Sequence, residues 1–552
     1  MDSKKLAELL FPNITVTADE LEEKYPPRNL PEGALVTRLG PSPTGFMHLG
    51  NLYGAFVDER LAHQSDGVFF LRIEDTDDKR YVEGAIDLII DSLKFFDINF
   101  DEGVGKDGDQ GDYGDYTQSH RGEIYGAFAK RLVEEGKAYP CFLTEDEIAL
   151  IREKQEAAKI NPGIYGEHAL SRDLTYEQVE ANIARGKPYA IRLKSDGNPD
   201  PEKAKRIHVV DAIRGELDMP ENFQDTIILK GTGIPTYHFA HVVDDHLMRT
   251  THVVRDESWL PSLPIHVELF EKLGWEPPIY CHTAQLMKID ENGNKRKLSK
   301  RKDPELSLEY YRKKGYHPAS VREYLLTVLN SNFEEWRMEN QDADINQFHF
   351  TTEKMSSSGA LFDLDKLNDV SKDVMLRIPA SEIYDFLKDW AEEVAPEYLP
   401  MFADRDYAEK ILDLGRQDAK PRKDLVCAEQ IVDFISYFFD DFYKSEDELP
   451  EEVSKEDAKT ILENYLASYD HTDDQSAWFD KIRNIGEALG YAPKPKDYKK
   501  DPDSYKGHVG HVSTAIRIAL MGRAQSPDVW TIQQIMGEDM TRRRIESALA
   551  SL

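Results

Sequence analysis

Cysteine is almost missing: there are three in 552 residues. So few thiols exclude a disulfide-built fold and point to a reducing compartment, so a cytoplasmic location is expected. Long apolar runs are missing too. No stretch approaches the roughly 18 residues of a membrane span, so no membrane partner is expected. The opening residues, MDSKKLAELLFPN, carry too short an apolar run, interrupted by Glu8, to read as a secretory signal. There is no GxxxxGK[ST] phosphate loop, no internal repeat and no low-complexity tract. Positive charge is scarce: 69 Lys and Arg stand against 103 Asp and Glu, a net of −34. A net anion repels phosphates, which by itself argues against a nucleic-acid partner.

The length predicts roughly three to five domains at about 100–200 residues each. Residues 1–34 read as an N-terminal extension, with Pro26, Pro27 and Pro31 breaking the chain ahead of the first strand. Ala34–Leu39 reads as a buried strand, GPSPTGF (40–46) as a loop, Met47 to Gln64 as a helix and Val68–Ile73 as a second strand. This run implies a right-handed β-α-β unit with parallel strands. Residues 101–116 are rich in Gly and Asp and read as an irregular loop, followed by a helix near Arg121–Gly136. Residues 141–224 mix short helices and strands and read as an inserted module. Ile227–Leu229, Thr236–Val243 and His252–Val254 carry strand-like patterning, and from about Ser371 the pattern is helical.

Two segments suit phosphate. In PSPTGFMHLGN (41–51), two prolines stiffen a turn that enters a helix near His48, Gly50 and Asn51. A helix N-terminus offers unpaired N–H groups and partial positive charge to triphosphate oxygens. Gly50, without a Cβ, lets a base or ribose approach closely. The plain alternative is a proline-rich loop on an ordinary crossover helix. NKRKLSKRKD (294–303) packs Lys295, Arg296, Lys297, Lys300, Arg301 and Lys302 into an acidic chain, just after Gly293. Lysines on a mobile loop can neutralise charge as pyrophosphate departs. The plain alternative is a solvated basic loop.

Together, HLGN (48–51) and KLSKR (297–301) resemble the HIGH-type and KMSKS-type signatures of class I aminoacyl-tRNA synthetases. TRLGPSPTGFMHLGN (37–51), FLRIEDTD (70–77), DEGV (101–104), PTYHFAHVVDDHLM (235–248), THVVR (251–255), LGWEPP (273–278) and KLSKRKDPELSLEYYRKKGY (297–316) resemble the bacterial-type glutamyl-tRNA synthetases, in order and at family-like spacing. The resemblance is dense from 35 to about 370 and weaker beyond. It implies an α/β fold: a doubly wound parallel-sheet catalytic domain in two halves (35–120 and 225–280) around an inserted acceptor-stem module (121–224). A stem-contact region with KLSKR (281–370) and an all-α anticodon-binding domain (371–552) complete the implied chain.

The implied activity is glutamate–tRNA ligation. L-glutamate attacks ATP to give glutamyl-adenylate and pyrophosphate, and the terminal ribose hydroxyl of tRNA(Glu) then takes the glutamyl group. Charging of tRNA(Gln) stays open. By resemblance Arg38 pairs with the glutamate γ-carboxylate, Ser42 helps hold the amino acid and Glu74 takes its ammonium. Tyr237, His241 and Arg255 complete the glutamate pocket. His48, Gly50, Asn51, Trp259, Lys297, Ser299 and Lys300 would line the ATP site, with His48, Lys297 and Lys300 acting on the chemistry. ATP with Mg²⁺ is the expected cofactor set and a monomer the expected state. The family generally needs bound tRNA before it activates glutamate.

The chain departs from the pattern at Asn51, in place of His, and at Ser258, where relatives usually carry an acid or His that seats the adenosine. Zinc-binding relatives begin a Cys-x-Cys where this chain reads Cys141-Phe142-Leu143, so no zinc is predicted. The cluster of His238, His241, His246 and His252 with Asp244 and Asp245 invites a metal reading, but the resemblance places it on a substrate-pocket strand and its turn. The alternatives are a catalytically impaired paralogue that binds tRNA, supported by Asn51 and Ser258, and a nucleotidylyltransferase sharing the HxGH-type loop. Residues 436–480 hold 14 acids against 3 bases and 491–552 hold 10 bases against 7 acids, so a dipolar molecule with a basic side toward tRNA is expected.

Overall fold

A computed structural model describes residues 2–77 and 81–552. They form two compact units, one running to Tyr310 and including Arg322–Asp363, the other made of Tyr311–Val321 and Leu364–Leu552.

The first unit is built on a parallel sheet. Strand Val36–Leu39 is buried along its whole length, as a strand covered on both faces must be. It pairs in parallel with Val68–Leu71, from Val36 opposite Val68 to Leu39 opposite Leu71, and helix Leu49–His63 makes the crossover. A two-residue strand, Glu102–Gly103, adds to the outer side within the segment expected to be irregular. On the other side, Val36 N donates to Thr251 Oγ1 at 2.8 Å and Thr251 N donates to Val36 O at 2.9 Å. Strand His252–Asp256 comes next and pairs in parallel with Ile279–Thr283. The strand order therefore reverses between Val36 and His252, and ligands of open α/β sheets bind at such a switch point.

The stretch expected as an insertion contributes in two ways. Ala138–Cys141, Ala190–Leu193 and Ile227–Leu229 form a separate antiparallel sheet. The hairpin Arg206–Asp211/Gly215–Pro220 instead extends the catalytic sheet, with Asp211 opposite Tyr280. The N-terminal segment is not loose either. Leu6, Ala7 and Leu10 of helix Ser3–Leu10, with Leu21 and Tyr25, are buried in one core with Phe128, Leu132 and Val133.

One element differs from the sequence expectation. Thr236–Val243 is not a strand: Tyr237–Leu247 is a helix. Phe239, Ala240, Val243 and Leu247 recur at helical spacing and are buried. The paired valines suggested a strand, but packing of that face decided the outcome.

The second unit is helical, from Leu364–Arg377 to Glu538–Ser551, and contains no strand among its described residues. Its core gathers Leu387, Ile411, Ile431, Ile461, Ile482, Ile516, Ile532 and Ile545.

Candidate active site

A cavity of about 560 Å³ opens at the carboxyl ends of Val36–Leu39 and His252–Asp256, where the strand order reverses. Its walls come from the loop and helix after the first strand, the stretch Glu74–Asp77, Tyr237, the ends of strands His252–Asp256 and Ile279–Thr283, and the KLSKR segment.

The helix Leu49–His63 begins with a reciprocal cap. Asn51 N donates to His48 Nδ1 at 3.2 Å, and His48 N donates to Asn51 Oδ1 at 3.0 Å. Because Nδ1 accepts, the neutral ring carries its proton on Nε2. Burial, helped by Lys297, lowers the His48 pKa, so the neutral ring, with its proton on Nε2, is favoured. Gly50 leaves room for the same cap, since a Cβ there would sit 3.0 Å from His48 Nδ1 and push the ring aside by a few tenths of an ångström. Asn51, a departure from the motif, closes the cap with its side-chain oxygen on His48 N, while its backbone N–H sets the His48 tautomer.

Beneath the cavity lies a buried ion network. Arg38 Nε bonds Asp245 Oδ1 at 3.0 Å, and Arg72 Nη1 reaches the same oxygen at 2.7 Å. Arg72 Nη2 holds Glu74 Oε1 at 2.9 Å. Asp244 accepts from Arg121 Nε at 2.7 Å, Tyr125 Oη at 2.7 Å and Gln118 Nε2 at 2.9 Å. Burial opposes ionisation of Asp245, but Arg38 and Arg72 hold it far below the usual carboxylate range. Burial raises the Glu74 carboxyl from its ordinary value against the pull of Arg72 and Arg38. Gly40 leaves room for it, because a Cβ there would collide with the Glu74 carboxylate. The two adjacent acids of the Asp-Asp-His sequence are therefore counter-ions to three arginines. Among the described residues no group of three or more His, Cys, Asp or Glu side chains is arranged to hold a metal.

Of the residues singled out from the sequence, Arg38, Ser42, His48, Gly50, Asn51, Glu74, Tyr237, Arg255, Trp259 and Lys297 line this cavity. Trp259 packs on Tyr237 with ring centroids 4.3 Å apart. Three do not line it. His241 is fully buried behind Tyr237, with Nδ1 2.7 Å from Asp245 Oδ2 and Nε2 3.1 Å from Tyr280 Oη, and burial pushes its pKa down to about 3. Lys300 Nζ lies 3.9 Å from the Phe46 ring centre, and Ser299 N is bonded to Asp303 Oδ2 at 2.8 Å. Ser258, the second departure, lines the cavity, and its N–H caps onto Asp256 Oδ1 at 2.9 Å.

The basic segment folds around its own acid. Arg296 binds Asp303 with both terminal nitrogens, at 2.6 and 2.7 Å. Leu308 N donates to Met47 O at 3.2 Å, which ties the chain after KLSKR to the loop before His48.

Residues 34–369 match the family described as "tRNA synthetases class I (E and Q), catalytic domain", and 503–549 match an anticodon binding domain. The chain belongs to the glutamate–tRNA ligase family of class I tRNA synthetases. It is 61% identical over 551 residues to a glutamate–tRNA ligase of Acetivibrio thermocellus, with 100% of both chains covered. It is 49% identical to one of Clostridium perfringens strain SM101, again with 100% of both covered. The crystal structure of a glutamate tRNA ligase from Elizabethkingia meningosepticum, in complex with its amino acid, superposes with a TM-score of 0.72 at 26% identity. That match covers 94% of this chain and 99% of that one. Family membership removes the nucleotidylyltransferase reading. Nothing in these similarities supports an impaired paralogue either.

Sequence reasoning missed the network under the glutamate–tRNA ligase site: the cations Arg72 and Arg121 and the neutral donors Gln118 and Tyr125, with Asp244 and Asp245 weighed as metal ligands and placed on a substrate-pocket strand but not seen as ion-pair partners. One signal was present. Arg72 and Glu74 are two residues apart on an extended segment and so share a face.

Proposed function

We propose that the chain activates L-glutamate with ATP and transfers it to tRNA(Glu). The observation that carries this reading is the placement of Arg38 and Glu74 in the same cavity as the His48 helix terminus and Lys297. Arg38, fixed at Nε by Asp245, presents a planar guanidinium to the γ-carboxylate. Glu74 faces the α-ammonium with Ser42 beside it, and the arrival of that cation favours the ionised form that burial opposes. Tyr237 and Trp259 form the aromatic wall.

The triphosphate lies along the amino end of Leu49–His63, where His48 Nε2–H donates and Gly50 permits close approach. The glutamate α-carboxylate attacks the α-phosphorus and pyrophosphate leaves. Lys297, in the cavity wall, and Lys300, just outside it, meet the charge that develops on the leaving group. Mg²⁺ would be carried by the triphosphate oxygens and would shield their charge. The terminal ribose hydroxyl of tRNA then attacks the activated carbonyl. No side chain forms a covalent intermediate, so positioning and charge neutralisation supply the catalysis. The helical 371–552 segment reads the anticodon, and the enzyme acts as a cytoplasmic monomer.

Aminoacylation of purified tRNA(Glu) and tRNA(Gln), side by side with labelled glutamate, tests the reading. Charging of tRNA(Glu) is expected; failure to charge it would contradict the assignment. The tRNA(Gln) lane decides whether the enzyme discriminates between the two.

A further inference from the structure

Arg255 stands at the end of strand His252–Asp256 and lines the cavity. Two histidines grip its guanidinium. Nε donates to His282 Nε2 at 2.9 Å, and Nη1 lies 3.1 Å from His266 Nδ1. Arginine only donates, so both ring nitrogens must accept. This fixes both tautomers. His282 carries its proton on Nδ1, which faces Asp211 Oδ2 at 2.7 Å. His266 carries its proton on Nε2, which faces His238 Nδ1 at 2.9 Å. Burial, aided by Arg255, keeps the His238 and His266 rings neutral, as acceptors must be.

The far anchor is equally constrained. Asp211 accepts four donors: His282 N at 3.1 Å and His282 Nδ1 on one oxygen, and the N–H groups of Ile213 and Arg214, both at 2.9 Å, on the other. Asp211 ends the hairpin strand Arg206–Asp211, so the inserted stretch supplies this anchor. The Tyr280 ring lies 4.5 Å from the guanidinium carbon. One group of Arg255 is left over: Nη2 is buried and has no hydrogen-bond partner in the structure.

We infer that Asp211, His282 and His266 are positioning residues that lock the Arg255 guanidinium in the cavity wall, where it is held for the α-carboxylate of the amino-acid substrate. This rests on the glutamate-activating reading and gives it an orienting network beyond the residues that touch substrate. The network acts on the amino acid and not on ATP, which separates it from a merely structural histidine cluster.

The test is pyrophosphate exchange with glutamate and tRNA(Glu), with KM measured separately for glutamate and for ATP. His266→Leu removes the acceptor; His266→Gln offers a carbonyl to Arg255 and an amide donor to His238. Asp211→Asn puts an amide donor in place of one oxygen, against two of the four N–H groups, and removes the charge. His266→Leu should raise the glutamate KM about tenfold while the ATP KM and kcat stay within about twofold, and His266→Gln should recover most of the loss. Asp211→Asn should shift the glutamate KM in the same direction. An unchanged glutamate KM in His266→Leu overturns the inference, as does a parallel rise in both KM values or a Gln variant no better than Leu. A wild-type protein that shows no exchange would instead overturn the glutamate-activating reading, and this inference with it.

Discussion

Arg38 shows how one side chain serves both fold and chemistry. Its Nε is committed to Asp245, and its guanidinium forms part of the cavity wall. Arg38→Ala removes a charge-assisted hydrogen bond of roughly 1.5–3 kcal/mol, so the glutamate KM should rise by at least about tenfold. Arg38→Lys should not rescue it, because an ammonium cannot bridge Asp245 and the substrate in one plane. Glu74 gives a pH signature. Burial raises its carboxyl, so the protonated form, which cannot take the substrate ammonium, is reached at a higher pH than for an ordinary glutamate. Glutamate affinity should therefore fall as pH drops through that raised value, and Glu74→Gln should flatten the dependence. A KM profile across mildly acidic pH measures both. Arg38, Ser42, Glu74 and His48 were legible in the sequence because they sit in contiguous motifs. The Arg72–Asp245 pair was not, because 173 positions separate its members and only the fold brings them together. The Asp-Asp-His sequence alone resembles metal ligation as much as ion pairing.

Among the elements, the KLSKR segment was expected to be a mobile basic loop, and Asp303 is the acid around which it folds. That carboxylate binds Arg296 twice and the Ser299 N–H. The Arg296 hydrogen bonds bring its pKa down to about 2. Since the folded value is depressed, the tie is fully present above the ordinary carboxylate range and is lost as pH falls toward 2. Asp303→Asn removes the charge at neutral pH. It should slow adenylate formation by about tenfold, as misplaced lysines no longer reach the leaving group, while tRNA binding stays nearly unchanged. Pre-steady-state adenylate formation and filter binding separate the two effects. The crossover helix and both flanking strands were legible because their apolar spacing is regular. The helix Tyr237–Leu247 was not, because a pair of β-branched valines mimics a strand over a short window. The joining of hairpin strand Arg206–Asp211 to the catalytic sheet has no sequence signal, since its outer residues read as an exposed ribbon.

For the whole molecule, the net of −34 is a poor guide to partners, because tRNA meets local surface. The expected separation of an acidic and a basic side is met only in part. Arg544 and Arg543 pair with Asp440 at 2.9 and 3.0 Å, Arg523 with Glu446 at 2.9 Å and Lys506 with Asp457 at 2.9 Å. Much of the basic C-terminal stretch therefore neutralises acids of the same unit. Lys494, Lys496, Lys499 and Lys500 remain, all exposed on and just before the short helix Pro495–Lys500. Replacing these four lysines by alanine should weaken tRNA binding and make the dependence of log affinity on log salt less steep, by about 0.7–0.9 for each phosphate that is no longer neutralised. An unchanged slope would place the phosphate-binding cations elsewhere. Composition indicated no structural disulfide, and the three cysteines are free and buried. It could not show which bases are already paired, because pairing across a helical unit depends on packing.

The most direct test of the whole account is ATP–pyrophosphate exchange in the presence and absence of L-glutamate and tRNA(Glu). Label should enter ATP only when both are present, and Arg38→Ala should abolish exchange at ordinary glutamate concentrations. Absence of exchange with both substrates, or equal exchange with an uncharged amino acid in place of glutamate, would contradict it.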